Sequence, residues 1–130
     1  MEVEFQAAGA PKRLSLSTCS VDVETTPNNV VVTVIGELDM GDADRVGDVL
    51  SEAAGSGRPI VRVDLSGLTF ADSSAIKALL LGAKAADDSG VTYEIINPHG
   101  SVRRLLGVTG LDEALTVIDK PESVEGPNSL

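Results

Sequence analysis

The 130-residue chain has very few aromatic residues, one cysteine and one histidine. Aromatic residues make up 2% of it and hydrophobic residues 42%, so the core must be built from Val, Leu, Ile and Ala. Cys19 has no second cysteine for an internal disulfide, and His99 is the only other soft ligand, so a zinc site cannot form. The sequence predicts no metal, no other cofactor and no free ATP site, and it is typical of the reducing cytoplasm.

Long apolar runs and basic residues are scarce as well. The longest apolar cluster, residues 78–86, is interrupted by Gly82 and Lys84 and is too short to span a membrane. The N-terminal residues MEVEF lack the apolar stretch of a secretion signal. Twenty acidic residues against ten basic ones give a net charge of -10, which disfavours nucleic acid and anionic membranes as partners. The same charge is compatible with a basic protein partner, or with solubility alone.

The composition predicts one domain with two short ends. Residues 1–13, which contain small residues and Pro11, predict a flexible leader. Residues 119–130, with two prolines and several charges, predict a flexible tail. The domain, residues 14–118, is long enough to bury a core without disulfides or metals.

Strand and helix signals alternate along this domain. Val21 and Val23, the turn at 27–29 and the β-branched run 30–35 predict a hairpin. Three further strands are predicted at 60–65, 91–96 and 115–118. The order predicts an α/β domain with a mixed β-sheet and helices packed mainly on one face.

Three helices are predicted from apolar residues at helical spacing. Their expected starts are Asp42 as a cap, Asp72 or Ser73, and Pro98. Their expected ends are Gly55 and Gly57, Ser89-Gly90, and Gly107 and Gly110. The residues expected to face the core are, helix by helix, Val46, Val49, Leu50 and Ala53; Ile76, Leu79, Leu80 and Ala83; and Val102, Leu105 and Leu106.

Three segments occur in an order and spacing that resemble a known family. The first is Gly-Glu-Leu-Asp at 36–39, which ends a strand. The second is Asp-Leu-Ser at 64–66 followed by Phe-Ala-Asp-Ser-Ser-Ala at 70–75. The third is Val-Arg-Arg-Leu-Leu at 102–106 followed by Thr-Gly-Leu at 109–111. Together they resemble the STAS domain family, of the anti-sigma factor antagonist type, and imply its fold.

The resemblance also implies a function in transcription regulation, of the kind found in stress response and sporulation. In this family an anti-sigma factor serine kinase phosphorylates the first serine after the aspartate, which implies Ser73, with Ser74 as second choice. The unphosphorylated antagonist binds the kinase and frees a sigma factor, phosphorylation reverses this, and a PP2C-type phosphatase removes the phosphate. A monomer or weak homodimer without enzymatic activity is expected. The partner-binding residues implied are Glu37, Asp39, Asp72, Ser73, Ser74 and Ala75.

One residue departs from the family pattern, because Ala75 stands where the family usually has glycine. Alanine favours a helix over glycine by about 1 kcal/mol. It also adds a methyl group where a kinase is expected to approach Ser73.

Other interpretations of the same residues stay open. From position alone Asp72 and Ser73 are ordinary helix caps, and Glu37 and Asp39 a polar strand exit. A serine hydrolase would need Ser73 and His99, but the Gly-x-Ser-x-Gly elbow is missing. The main alternative function is a STAS scaffold or regulatory subunit of a larger sensory or transporter assembly, without kinase cycling.

Overall fold

Seven strands and four helices make up residues 12–119, the part of the chain that this computed structural model describes. The strands are Lys12–Ser15 (β1), Cys19–Thr25 (β2), Asn29–Leu38 (β3), Ile60–Asp64 (β4), Leu68–Ala71 (β5), Thr92–Ile96 (β6) and Thr116–Ile118 (β7). The helices are Ala43–Ala54 (α1), Ser73–Ser89 (α2), Gly100–Thr109 (α3) and Leu111–Ala114 (α4).

The strands form one mixed sheet in the order β1-β2-β3-β4-β6-β7, and β5 pairs with the end of β3. Strands β1, β2 and β3 are antiparallel, and β2 and β3 form the predicted hairpin. The pairs β3–β4, β4–β6, β6–β7 and β3–β5 are parallel. The predicted α/β fold with a mixed sheet is confirmed.

The core lies between one face of the sheet and the helices. Val30, Val32 and Val34 of β3 are fully buried, whereas the alternating Val31 and Thr33 are only half-buried. Helices α1 and α2 pack against each other and contact β3, β4 and β6. Because side chains alternate between the faces of a strand, this pattern places these two helices on a single face, as predicted.

Helices α1 and α2 approach closely at Gly82. A Cβ atom at this position would lie 2.8 Å from the Cβ of Leu50 and 2.6 Å from the hydroxyl oxygen of Tyr93. The buried Tyr93 hydroxyl donates a hydrogen bond of 2.9 Å to the backbone oxygen of Leu79. This contact joins β6 to the middle of α2.

The buried face of α2 differs from the predicted one. Leu79 is buried, but Leu80 is 43% exposed, and small residues fill most of the face. The buried residues of α2 are Ala75, Ala78, Leu79, Gly82 and Ala86. The error arose because three consecutive leucines satisfy more than one helical register.

Two short elements and the bounds of α3 were not predicted correctly. Strand β5 and helix α4 have four residues each, too few to show a periodicity. Helix α3 begins after His99 and not at Pro98, and Gly107 lies inside it. Only Gly110, with a φ of 78°, ends this helix.

The predicted ends of the chain lie almost entirely outside the described residues. Strand β1 begins at Lys12, so Lys12 and Arg13 of the expected leader belong to the sheet. The Nε atom of Arg13 lies 2.6 Å from the carboxylate of Asp22 in β2. Residues 1–11 and 120–130 are not described, and their flexibility stays a prediction.

Candidate functional site

The first two motifs lie side by side because β3 and β5 are paired in parallel. Glu37 is opposite Phe70, and Leu38 is opposite Ala71. The backbone N–H of Asp72 continues this ladder with a hydrogen bond of 3.2 Å to the oxygen of Leu38. The end of β3 and the start of α2 therefore form one continuous surface.

Asp72 caps α2. Its backbone is extended, and its carboxylate accepts hydrogen bonds from the backbone N–H of Ser74, at 2.9 Å, and from the Ser74 hydroxyl. The hydrogen bond from Ser74 lowers the pKa of the Asp72 carboxylate; burial opposes this, and the backbone N–H groups of Ala75 and Met40 add to it. Of the two expected starts, the structure has Asp72 as the cap and Ser73 as the first helical residue.

The two serines have different environments. Ser73 is exposed, and none of the side-chain hydrogen bonds among residues 12–119 involves its hydroxyl. Ser74 is half-buried, and its hydroxyl is engaged by Asp72. Of the two hydroxyls, that of Ser73 is therefore the more accessible one in the described structure.

Ala75 is only 1% exposed. Its methyl group packs into the core and does not stand at the surface near Ser73. The Ala75 side chain therefore cannot contact a partner, and this residue can influence a partner surface only through the position of its backbone.

Glu37 and Asp39 lie at the exit of β3. Glu37 is exposed and Asp39 is half-buried. The carboxylate of Asp39 accepts a hydrogen bond of 3.0 Å from the backbone N–H of Gly41. The backbone oxygen of Asp39 accepts hydrogen bonds from the N–H groups of Asp42 and Ala43, which start α1. Asp39 thus shapes the turn, and Glu37 is free at the surface.

Asp42 stands at the start of α1 but does not cap it with its side chain. Asp42 is only 2% exposed. Its carboxylate accepts hydrogen bonds from the loop between β1 and β2 and from the first residue of β2. The donors are the backbone N–H groups of Ser17 at 3.1 Å, Thr18 at 2.8 Å and Cys19 at 3.2 Å. Burial raises the pKa of Asp42, but these hydrogen bonds outweigh it and lower the pKa to about 2.

The loop between β1 and β2 also contacts the motif at residues 36–39 through Thr18. The backbone N–H of Glu37 donates to the oxygen of Thr18 at 3.1 Å, and the Thr18 hydroxyl donates to the backbone oxygen of Glu37 at 2.9 Å. Sequence reasoning missed this role of Asp42, because an aspartate before a helix predicts a cap and no pattern connects it to a loop 24 residues earlier.

A groove of about 380 Å³ lies between α1 and α2, next to Ser74. It combines apolar side chains with one acidic and one basic residue. Met40 at its edge is 78% exposed and Leu81 is 46% exposed. The lining residues are Met40, Ala43, Asp44, Ser74, Lys77, Ala78 and Leu81. The sequence motifs gave no indication of this groove.

The surroundings of His99 and of the metal-ligating residue types bear on the alternative interpretations of the sequence. A ring nitrogen of His99 lies 2.8 Å from the backbone oxygen of Ser66, and no hydrogen bond between described residues joins it to Ser73. Arg103 pairs with Asp119 at 2.7 Å. Within residues 12–119, no cluster of three His, Cys, Asp or Glu side chains could hold a metal, and no helix is long and apolar enough to cross a membrane.

Comparison with known proteins shows the family. A protein-family model described as "Mlab, STAS domain" matches residues 21–119. The chain therefore belongs to the STAS domain family. No curated protein sequence gives a significant match.

Solved structures share the fold at low sequence identity. An anti-sigma factor antagonist from Mycobacterium paratuberculosis is 22% identical, with a TM-score of 0.68 over 89% of this chain and 92% of that one. The phosphorylated form of the Bacillus cell fate determinant SpoIIAA is 22% identical, with a TM-score of 0.60 over 77% and 92% of the two chains. A sulfate transporter family protein from Wolinella succinogenes is 20% identical, with a TM-score of 0.60 over 68% and 75%. Antagonists and transporter domains thus share this architecture.

Proposed function

We propose that this STAS domain is an anti-sigma factor antagonist that acts by partner switching. The unphosphorylated form binds an anti-sigma factor serine kinase and frees a sigma factor, and phosphorylation of Ser73 ends this binding. The observation that carries the proposal is the exposed, unengaged hydroxyl of Ser73 at the start of α2, beside the exit of β3. The domain supplies no catalytic group; ATP belongs to the kinase, and a PP2C-type phosphatase resets the switch.

The difference between the two serines supports Ser73 as the phosphoacceptor. A kinase needs an accessible hydroxyl whose proton can leave during transfer. Ser74 is half-buried and its hydroxyl is bonded to Asp72, so its phosphorylation would first break this hydrogen bond and place the phosphate directly against the Asp72 carboxylate. Ser73 can be modified with the cap intact.

The charge of the surrounding surface explains how a phosphate would act. A phosphoserine adds about -1.5 to -2 charges at neutral pH. Glu37, Asp39, Asp44 and Asp72 already make this surface acidic. The added charge increases the desolvation cost and the like-charge repulsion wherever a partner must close over Ser73. Release of the partner therefore needs no change of fold.

The test compares two substitutions of Ser73 with a matched pair at Ser89. Ser73→Ala should abolish phosphorylation and keep binding to the anti-sigma factor kinase. Ser73→Asp should weaken this binding about thirtyfold, a cost of about 2 kcal/mol. Ser89, exposed at the other end of α2, provides Ser89→Ala and Ser89→Asp as controls with little effect. Binding is measured by calorimetry and the modified residue by mass spectrometry. Phosphate on Ser74, or equal binding of Ser73→Asp and wild type, would refute the proposal.

The second candidate is a scaffold or regulatory subunit, favoured by the similarity to the sulfate transporter family protein. In that role the domain stays in a large assembly and does not cycle on a kinase. Light scattering on purified protein and on cell extract distinguishes the two. A small particle that joins a kinase only when Ser73 is unmodified supports the antagonist, and a stable large particle supports the scaffold.

A further inference from the structure

Lys77 is a basic residue within reach of Ser73. It lies four residues later in α2, and both residues are exposed. Residues four apart share one face of a helix, with Cβ atoms about 6 Å from each other. The ion pairs of the described chain engage Arg13, Arg62, Lys84 and Arg103, but none of them involves Lys77. The ammonium group of Lys77 is therefore available.

Lys77 also lines the groove between α1 and α2. Asp44 is the acidic residue of the same groove, yet the two side chains form no ion pair. In a chain with a net charge of -10, Lys77 places a positive charge beside an acidic surface. Lys77 is exposed, and it takes part neither in the hydrogen bonds that cap α2 nor in the packing of the core.

We propose that Lys77 is the counter-ion of a phosphate on Ser73 and so determines how the modified site behaves. The inference rests on the phosphorylation proposed above. In the unmodified protein the Lys77 ammonium stays at the mouth of the groove, where it can meet an acidic side chain of a partner. In the phosphoprotein the Lys77 side chain points toward the start of α2, and its ammonium group pairs with the phosphate on Ser73. The modification then both adds negative charge and removes the cation from the groove.

The direction of the pair along the helix is favourable. A negative group one turn before a positive one is the better orientation of an i,i+4 pair. A phosphate on Ser73, the first residue of α2, also complements the positive end of the helix dipole. Asp72, adjacent to Ser73, repels a phosphate, as do Glu37, Asp39 and Asp44 at longer range. Lys77 offsets part of this repulsion and favours the dianionic form of the phosphate.

The second pKa of a phosphoserine placed at position 73 during translation tests the pairing. It is measured by phosphorus NMR at low ionic strength. Lys77 favours the dianion and lowers this pKa, so Lys77→Gln should raise it by about 0.4 pH units, and Lys77→Arg should restore the original value. Lys84→Gln is the control: Lys84 is exposed on the same helix but pairs with Asp88 at 3.4 Å, so its loss should leave the pKa unchanged.

The outcomes separate this inference from the proposed function. Equal phosphoserine pKa values in wild type, Lys77→Gln and Lys84→Gln would overturn the pairing. Because the phosphate is introduced without a kinase, the measurement does not depend on any partner. If Ser73→Ala protein is still phosphorylated by its kinase, the proposed function fails, and the pairing is judged by the NMR titration alone.

Discussion

Replacing Asp42 with alanine should lower the free energy of unfolding by about 2 to 3 kcal/mol, because a buried carboxylate that accepts several hydrogen bonds is removed. The Asp42 carboxylate accepts the backbone N–H groups of Ser17, Thr18 and Cys19 in a residue that is 2% exposed. Cys19 is buried, so its N–H would be left without an acceptor at a cost of about 1–3 kcal/mol, whereas Ser17 and Thr18 are exposed and their N–H groups can bond water. The β1–β2 loop and the exit of β3 should loosen together.

Urea unfolding followed by circular dichroism measures this loss. The control is Asp48→Ala, since Asp48 is exposed on the same helix and alanine is a good helix former. A decrease of less than 1 kcal/mol for Asp42→Ala would show that the carboxylate does not hold the loop.

Asp42 should also make the fold sensitive to acid. Its pKa is about 2 in the folded protein, against an ordinary value of 3.8. A carboxylate whose pKa is lowered by folding stabilises the protein above its ordinary pKa, and this contribution is lost as the pH falls toward the folded value. The wild type should therefore lose about 2 kcal/mol between pH 4 and pH 2 through this group alone. The Asp42→Ala variant should lack this part of the acid dependence.

Gly36→Ala should cost about 3 kcal/mol or more, because it combines backbone strain with a collision. Gly36 has a φ of 104°, a conformation that side chains rarely adopt, at the bulge between β3 and β5. A Cβ there would lie 2.7 Å from the backbone oxygen of Thr18, the same residue that binds Asp42 and Glu37. The oxygen belongs to the backbone, so it cannot rotate away.

Gly57→Ala separates the two causes. Gly57 has a φ of 92°, but no atom lies within 4 Å of a Cβ built on it. This variant should show the strain alone, about 1 kcal/mol. Thermal unfolding of both variants measures the difference, and equal losses would mean that contact with Thr18 contributes nothing.

The sequence predicted the sheet and the start of α2, because both depend on local chemistry. The runs of β-branched residues at 30–35 and 60–65 indicate strands without reference to distant contacts. Asp72 before an apolar helix predicts a cap, and the structure has it as one. The family motifs indicated that 36–39 and 70–75 belong together, and the β3–β5 pairing shows how they meet.

Features that depend on contacts between distant residues could not be predicted. The carboxylate of Asp42 binds a loop 24 residues earlier in the chain, and no periodicity records such a contact. The exposure of Leu80 follows from how closely α1 approaches α2 at Gly82, which is a property of the packed pair. The groove containing Lys77 likewise exists only after both helices are in place.

The hydrogen bond between Tyr93 and Leu79 gives the protein a built-in optical probe. Tyr93 is the only tyrosine, and the chain has no tryptophan. Burial raises the pKa of its phenol above the ordinary value of 10.0, so opening of the β6–α2 contact should shift the appearance of phenolate absorbance to lower pH. The native fluorescence likewise comes from this one position. A phosphate at the far end of α2 can therefore be tested for effects inside the core without a label.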